Sequence, residues 1–297
     1  MEEESPPAFS LLASLNVAII GLGLMGGSLA MLIHGRCRSL IGIDNDPVVL
    51  EHARKLKIAD VLGRVSDDLI PLADVIVLAT PVGAILDLIA SLPSLHPGSP
   101  IVMDLGSTKA EVLERMKSLP ERFDPLGAHP MCGKEHNSLL NADPGLYSGA
   151  VFVLCPLERT SSKARELAVQ MVQAVRGNAV WMDAESHDRK VAATSHLPYL
   201  AANMLAAITP LEAALLAGPG FRSTTRVGET NPSLMIDVLK SNRDNVLRML
   251  TDYRNGLEIF EALLVQKDWE KIEQLLSTGC TRRQEILKVS ERNSQCS

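Results

Sequence analysis

Residues 15–47 constrain this chain more than any other stretch. They read LNVAIIGLGLMGGSLAMLIHGRCRSLIGIDNDP. Residues 17–20 form a short apolar run rich in β-branched side chains, the pattern of a strand buried on both faces. The run passes into Gly21-x-Gly23-x-x-Gly26 and then into a segment with helical character over 25–34. A second apolar run, 40–43, ends at Asp44. Strand, glycine turn, helix, strand and acid in that order are the layout of a dinucleotide-binding unit.

Each residue has its own physical reason to be there. Gly21 permits the tight turn off the strand, Gly23 lets the backbone approach a pyrophosphate, and Gly26 lets the helix pack close to the sheet. The N–H groups of Leu22, Leu24 and Met25 lie around a helix start, where they face phosphate oxygens. Asp44 stands about twenty residues on, where a carboxylate accepts the ribose hydroxyls and repels a 2′-phosphate. The cofactor expected is therefore NAD.

The same stretch is uncharged from residue 11 to residue 33, long enough to suggest a membrane span or a signal peptide. The preceding Glu2-Glu3-Glu4 is acidic where a signal peptide is basic, and four glycines and Asn16 interrupt the run. A soluble, cytoplasmic protein with no membrane partner is expected. Five cysteines without paired spacing fit a reducing compartment. A net charge of −6 and only 3% aromatic residues argue against a nucleic-acid partner. With 297 residues, 46% of them apolar, the chain can bury a large core and divide into two domains. Residues 1–10 read as a frayed tail.

Further strands are expected over 74–79, 100–103, 150–155 and 179–182, with helices over 47–57, 82–92 and 162–176. Ligands sit outside the carboxyl ends of strands in a doubly wound sheet, which places Thr80 and Pro81 beside the cofactor. Ser107 follows the strand at 100–103 and stands at the same mouth. Thr108 and Glu111 nearby have the spacing of a capping box. His129 follows a short apolar run and is held between Ala128 and Pro130. With Cys132 it has metal-ligand spacing, but no second ligand pair follows, so no metal is expected. From Asp183 onward glycine and proline thin out and strand runs vanish. Helices are expected over 184–208, 232–240, 242–266 and 269–291, with Pro198 kinking the first. The fold class is therefore α/β: a Rossmann-type, doubly wound, mostly parallel sheet over 14–183, followed by an all-helical domain over 184–297. Residues 201–208 and 211–217 are apolar over wider faces than one neighbour can cover, the mark of a homodimer interface. His196 lies in the first of these helices, and Arg222 and Arg226 follow Gly218-Pro219-Gly220 on what reads as a loop. Two arginines at that spacing suit bidentate capture of a carboxylate.

Residues 21–30, Asp44, residues 104–109, residues 127–135, Ser195-His196-Leu197-Pro198 and residues 221–226 together resemble the prephenate and arogenate dehydrogenases of tyrosine biosynthesis. The motifs occur in order and span residues 16 to about 270, nearly the whole chain. GxHPMxG, SHLP and FRxxTR are specific as a set. The resemblance implies NAD-dependent oxidative decarboxylation of prephenate to 4-hydroxyphenylpyruvate, or of arogenate to tyrosine. It implies that His129 is the base, that Ser107 and His196 contact substrate, that Arg226 pairs with the ring carboxylate, and that Glu135 organises the entrance. Glu135 favours prephenate. Three positions depart from the common pattern: Ser223 where relatives often carry Asp, Tyr199 where they often carry His, and Cys132 where Ala is common. A β-hydroxyacid dehydrogenase would carry a lysine with asparagine four residues later, whereas here Lys190 is followed by Thr194. A non-catalytic NAD-sensing protein would leave His129, His196 and Arg226 without a common purpose.

His129 is expected to lose its proton near the ordinary imidazole value of about 6.5. Asp44 predicts a higher kcat/KM with NAD than with NADP in a steady-state comparison. A preference for NADP would refute this role for the carboxylate.

Overall fold

In the computed structural model, which describes residues 10–134 and 138–295, the apolar runs become one eight-stranded sheet. Its strands are β1 (Asn16–Ile20), β2 (Ser39–Ile43), β3 (Val61–Gly63), β4 (Val75–Leu78), β5 (Ile101–Asp104), β6 (Asp124–Pro130), β7 (Val151–Pro156) and β8 (Asn178–Trp181). The order is β3-β2-β1-β4-β5-β6-β7-β8, and every pair is parallel except β6 with β7. The first six strands have the order of two mononucleotide-binding halves, with the switch point between β1 and β4. Strands β4 and β5 are buried along their whole length, which is why they read as unbroken apolar runs. Strand β3 was not expected, being three residues long and half exposed at the sheet edge. Short α1 (Ser10–Ala13) precedes the sheet and replaces the end of the expected tail; residues 1–9 lie outside the described part.

Helices α2 (Leu24–Ile33), α3 (Pro47–Leu56), α4 (Val82–Leu95), α5 (Ala110–Lys117) and α6 (Ser162–Ala174) cover the sheet. Leu29, Leu50 and Leu167, from α2, α3 and α6, fill the core on one face. Ile85, Ile89 and Val112, from α4 and α5, fill the other. Helix α4 runs past its expected end through Pro93 to Leu95.

The rest of the described chain is helical. Helix α7 (Ala184–Val191) continues through a π turn, Ala192–His196, into α8 (Leu197–Ile208). Leu197 donates its N–H to the Ala192 carbonyl, five residues back. The widened turn accommodates Pro198, which has no N–H to give, so the helix is locally distorted at the proline and continues past it. After α8 come α9 (Pro219–Thr225), a 3₁₀ turn Arg226–Glu229, α10 (Pro232–Ser241), α11 (Arg243–Gln266) and α12 (Trp269–Gln295). Segment 221–226 is thus helical, which corrects the loop expectation. Gly218 is the N-cap and Pro219 opens the first turn. Among the described residues one helix, Ala184–Ile208, is long and apolar enough to cross a membrane by length and composition. Its first turns, however, are amphipathic and dock on α5 through Asp188.

Candidate active site

The glycine turn is shaped by contact. Gly21 has φ +98°, and a Cβ there would stand 2.8 Å from the Ala79 carbonyl oxygen. A Cβ on Gly26 would stand 1.8 Å from the Gly21 carbonyl oxygen. No side chain fits at either position, so β1, the turn and α2 pack backbone to backbone. Asp44 fixes the same turn from β2, accepting the Leu22 N–H at 2.8 Å through Oδ2 and the Asp46 N–H at 2.9 Å through Oδ1.

The turn opens on a cleft of about 730 Å³ between the strand ends and the helical region. Gly21, Gly23, Leu24, Met25, Asp44, Thr80, Pro81, Ser107, His129, His196 and Arg226 all line it. Three expected residues do not. Leu22 turns its side chain into the core and Gly26 is buried beneath the turn, so only their backbone shapes the site. Arg222 is exposed and points its Nε back at the Ala217 carbonyl, 3.4 Å away. The helical course of α9 turns it from the cleft, a correction to its pairing with Arg226. Ser223 donates to the Gly220 carbonyl within its own helix, so it does not replace the missing acid. Tyr199 lines the cleft and is buried against Met235 and Val238. Glu135 lies outside the described residues. Thr80 Oγ1 is buried and has no hydrogen-bond partner among the described residues. A buried orphan hydroxyl beside a glycine cradle and an open helix start fits a polar cofactor that completes the hydrogen bonding.

Behind the cleft lies a buried ion pair that was not expected. Asp104 ends β5, and Lys109 pairs with it; both side chains are fully buried. Asp104 also accepts the Gly106 N–H at 2.8 Å and the Ala128 N–H at 3.3 Å. Lys109 Nζ donates to the Ala128 carbonyl at 2.8 Å. The residue before His129 is therefore held by both its backbone groups. Burial raises the Asp104 carboxyl above its ordinary range, with the Lys109 ammonium opposing that shift.

His129 Nδ1 meets His187 Nε2 at 2.8 Å, and His187 Nδ1 meets Asp188 Oδ1 at 2.7 Å. The same carboxylate accepts the N–H groups of Lys109 (2.8 Å) and Ala110 (2.9 Å) at the start of α5. The expected capping box is absent: Thr108 bonds Ser241 in α10 at 2.7 Å, and α5 is capped from α7. Asn242 donates through Nδ2 to the Asp188 carbonyl at 2.7 Å and lies 3.2 Å from His196 Nδ1. Its Oδ1 accepts from Asn245. Burial first, then the electrostatic cost of a protonated ring beside His187, Lys109 and His196, hold His129 well below the ordinary imidazole value. This overturns the expectation of about 6.5. His196 is pushed down to about 4, chiefly by burial. Both rings are neutral at pH 7. His187 and Asp188 carried no signal in the sequence beyond a polar helix start, and Lys109 was noted only as the end of a strand-end motif.

Lys109→Met leaves Asp104 buried and unpaired and is expected to cost about 3–5 kcal/mol of stability by denaturant titration. The double variant Lys109→Met/Asp104→Asn is expected to recover a large part of that loss. If the double variant is no more stable than the single, the pair is not what holds this corner.

Comparison with known proteins agrees with the geometry. Residues 28–181 match the prephenate dehydrogenase nucleotide-binding domain, and residues 183–278 match the prephenate dehydrogenase dimerization domain. The chain is 28% identical over 276 residues to prephenate dehydrogenase of Bacillus subtilis strain 168, covering 89% of this chain and 74% of that protein. It is similar to the crystal structure of prephenate dehydrogenase from A. aeolicus in complex with hydroxyphenyl propionate and NAD+, with a TM-score of 0.84 and 27% identity over 93% of this chain and 99% of the other. Synechocystis arogenate dehydrogenase is similar as well, with a TM-score of 0.77 and 28% identity over 91% of this chain and 99% of the other.

Proposed function

Because the chain belongs to the prephenate dehydrogenase family, we propose that it performs the NAD-dependent oxidative decarboxylation of prephenate to 4-hydroxyphenylpyruvate. The observation that carries this reading is the convergence of the glycine cradle, His129, His196 and Arg226 on one cleft. Residues 14–183 form the NAD-binding domain, and residues 184–297 form the domain for substrate and dimerisation.

NAD+ held by the cradle supplies the hydride acceptor. Gly21, Gly23 and the open start of α2 would hold its pyrophosphate, Asp44 would accept its ribose hydroxyls, and Thr80 would offer its hydroxyl. Arg226 pairs with the ring carboxylate of prephenate, Ser107 hydrogen-bonds near the C4 hydroxyl, and His196 holds the substrate from the helical side. Neutral His129 accepts the proton of the C4 hydroxyl as the C4–H bond gives up its hydride. The bond from the ring to its carboxylate then breaks and CO2 leaves. Its electron pair completes the aromatic ring and returns negative charge to the C4 oxygen, which takes the proton back from His129. Aromatisation drives the step, so much of the enzyme's task is alignment. Arogenate is the second reading, favoured by the similarity to the Synechocystis enzyme. It differs at the side chain, away from His129.

The helical region supports assembly as a homodimer. Ile208, Leu211, Leu215 and Leu216 stand exposed on the single chain, Leu215 at 94%, continuous with the apolar faces expected from sequence. A C2 partner would cover them.

Incubation with prephenate or arogenate and NAD, followed by NADH absorbance, tests the reaction; no NADH from either substrate overturns it. His129→Asn should lower kcat roughly 10²–10⁴-fold. For wild type, kcat/KM should fall on the acid side only well below 6.5 and be flat from there to pH 8, because the neutral ring is the active form. An acid limb at or above 6.5 would remove His129 from the role. Arg226→Ala should raise KM for the substrate by about 1.5–3 kcal/mol, the worth of a hydrogen bond to a charged group, with KM for NAD unchanged. Equal loss for both would mark Arg226 as structural.

A further inference from the structure

We propose that His187, anchored by Asp188, is a positioning residue that fixes His129 as the Nδ1–H tautomer and leaves its Nε2 lone pair to the substrate. This rests on the reading of His129 as the base.

The argument follows the donors. A carboxylate only accepts, so the 2.7 Å contact to Asp188 Oδ1 puts the proton on His187 Nδ1. With a single proton on the His187 ring, placed at Nδ1, the lone pair is on Nε2. At 2.8 Å from that nitrogen, His129 Nδ1 must be the donor. A neutral imidazole has one N–H, so His129 Nε2 is the free acceptor. The anchor does not rotate. Asp188 Oδ1 also accepts the Lys109 N–H and Oδ2 accepts the Ala110 N–H, while its carbonyl accepts from Asn242. His187 and Asp188 are each 1% exposed, so water does not compete for these contacts. Without the chain of donors, a neutral imidazole divides between two tautomers, and one of them cannot accept the substrate proton. Among the described residues, the titratable and charged groups that act on His129 are His187 from α7, Lys109 at the start of α5 and His196 at the π turn, with Asp188 behind His187.

The test has two arms. Tautomers are read by two-bond 1H–15N correlation on wild-type protein labelled with 15N-histidine, the His129 signals being identified by their loss in His129→Asn. The expected pattern is a protonated Nδ1 and an unprotonated Nε2 on His129. A protonated Nε2, with His187 carrying both protons, overturns the proposal. This arm needs no substrate, so it decides the tautomer even if prephenate and arogenate both prove inert, which would sink the proposed reaction alone. In the kinetic arm, His187→Phe removes the acceptor and should lower kcat about 10²-fold with KM for prephenate and NAD within about twofold. His187→Gln places an amide oxygen near the old Nε2 and should recover most of the loss. Equal loss in both variants, or a rise in KM matching the loss in kcat, overturns the proposal. If His187→Phe does not fold, the wild-type spectrum and His187→Gln still decide.

Discussion

The ion pair between Asp104 and Lys109 is the contact on which the rest of the site depends. Two buried charges are expensive to desolvate and repay it only when their remaining donors and acceptors are also satisfied. Here they are met by backbone: Gly106 on the strand-to-helix turn, and both the N–H and carbonyl of Ala128. The pair therefore ties the end of β5 to the end of β6. His129 is the next residue along β6, so its position is set by a contact that does not include it.

The seam between sheet and helices is polar and narrow. Asp188 caps α5, Thr108 reaches Ser241, and Asn242 joins the Asp188 carbonyl to His196. These contacts are directional where an apolar seam would not be, and they fix the register of α7 and α10 against α5. The cleft inherits its shape from that register. Two histidines that approach it from different parts of the chain are both kept uncharged by the same burial.

Local pattern was enough for much of this. Buried parallel strands show as apolar runs, and the glycine turn, Asp44, Ser107, His129 and His196 all stood where strand ends and a proline in a helix put them. What failed was whatever depended on distant residues. Thr108 and Glu111 had the spacing of a capping box, but a carboxylate from another helix took that place. Gly218-Pro219-Gly220 read as a loop because glycine and proline punctuate loops, yet Pro219 suits a first helical turn equally well. His187 and Asp188 were invisible because a polar helix start is the commonest of patterns. Nothing in one dimension says that β6 ends opposite it.

The two walls of the cleft are not equally firm. One is built from β6, α5 and α7, with fully buried side chains and a continuous set of hydrogen bonds. The facing wall carries Arg226 on α9 and the following 3₁₀ turn, two short elements with no buried residue. Local opening costs least where few groups are buried. Traffic into and out of the cleft should therefore run past the Arg226 side. The wall that carries His129 would stay still while molecules exchange.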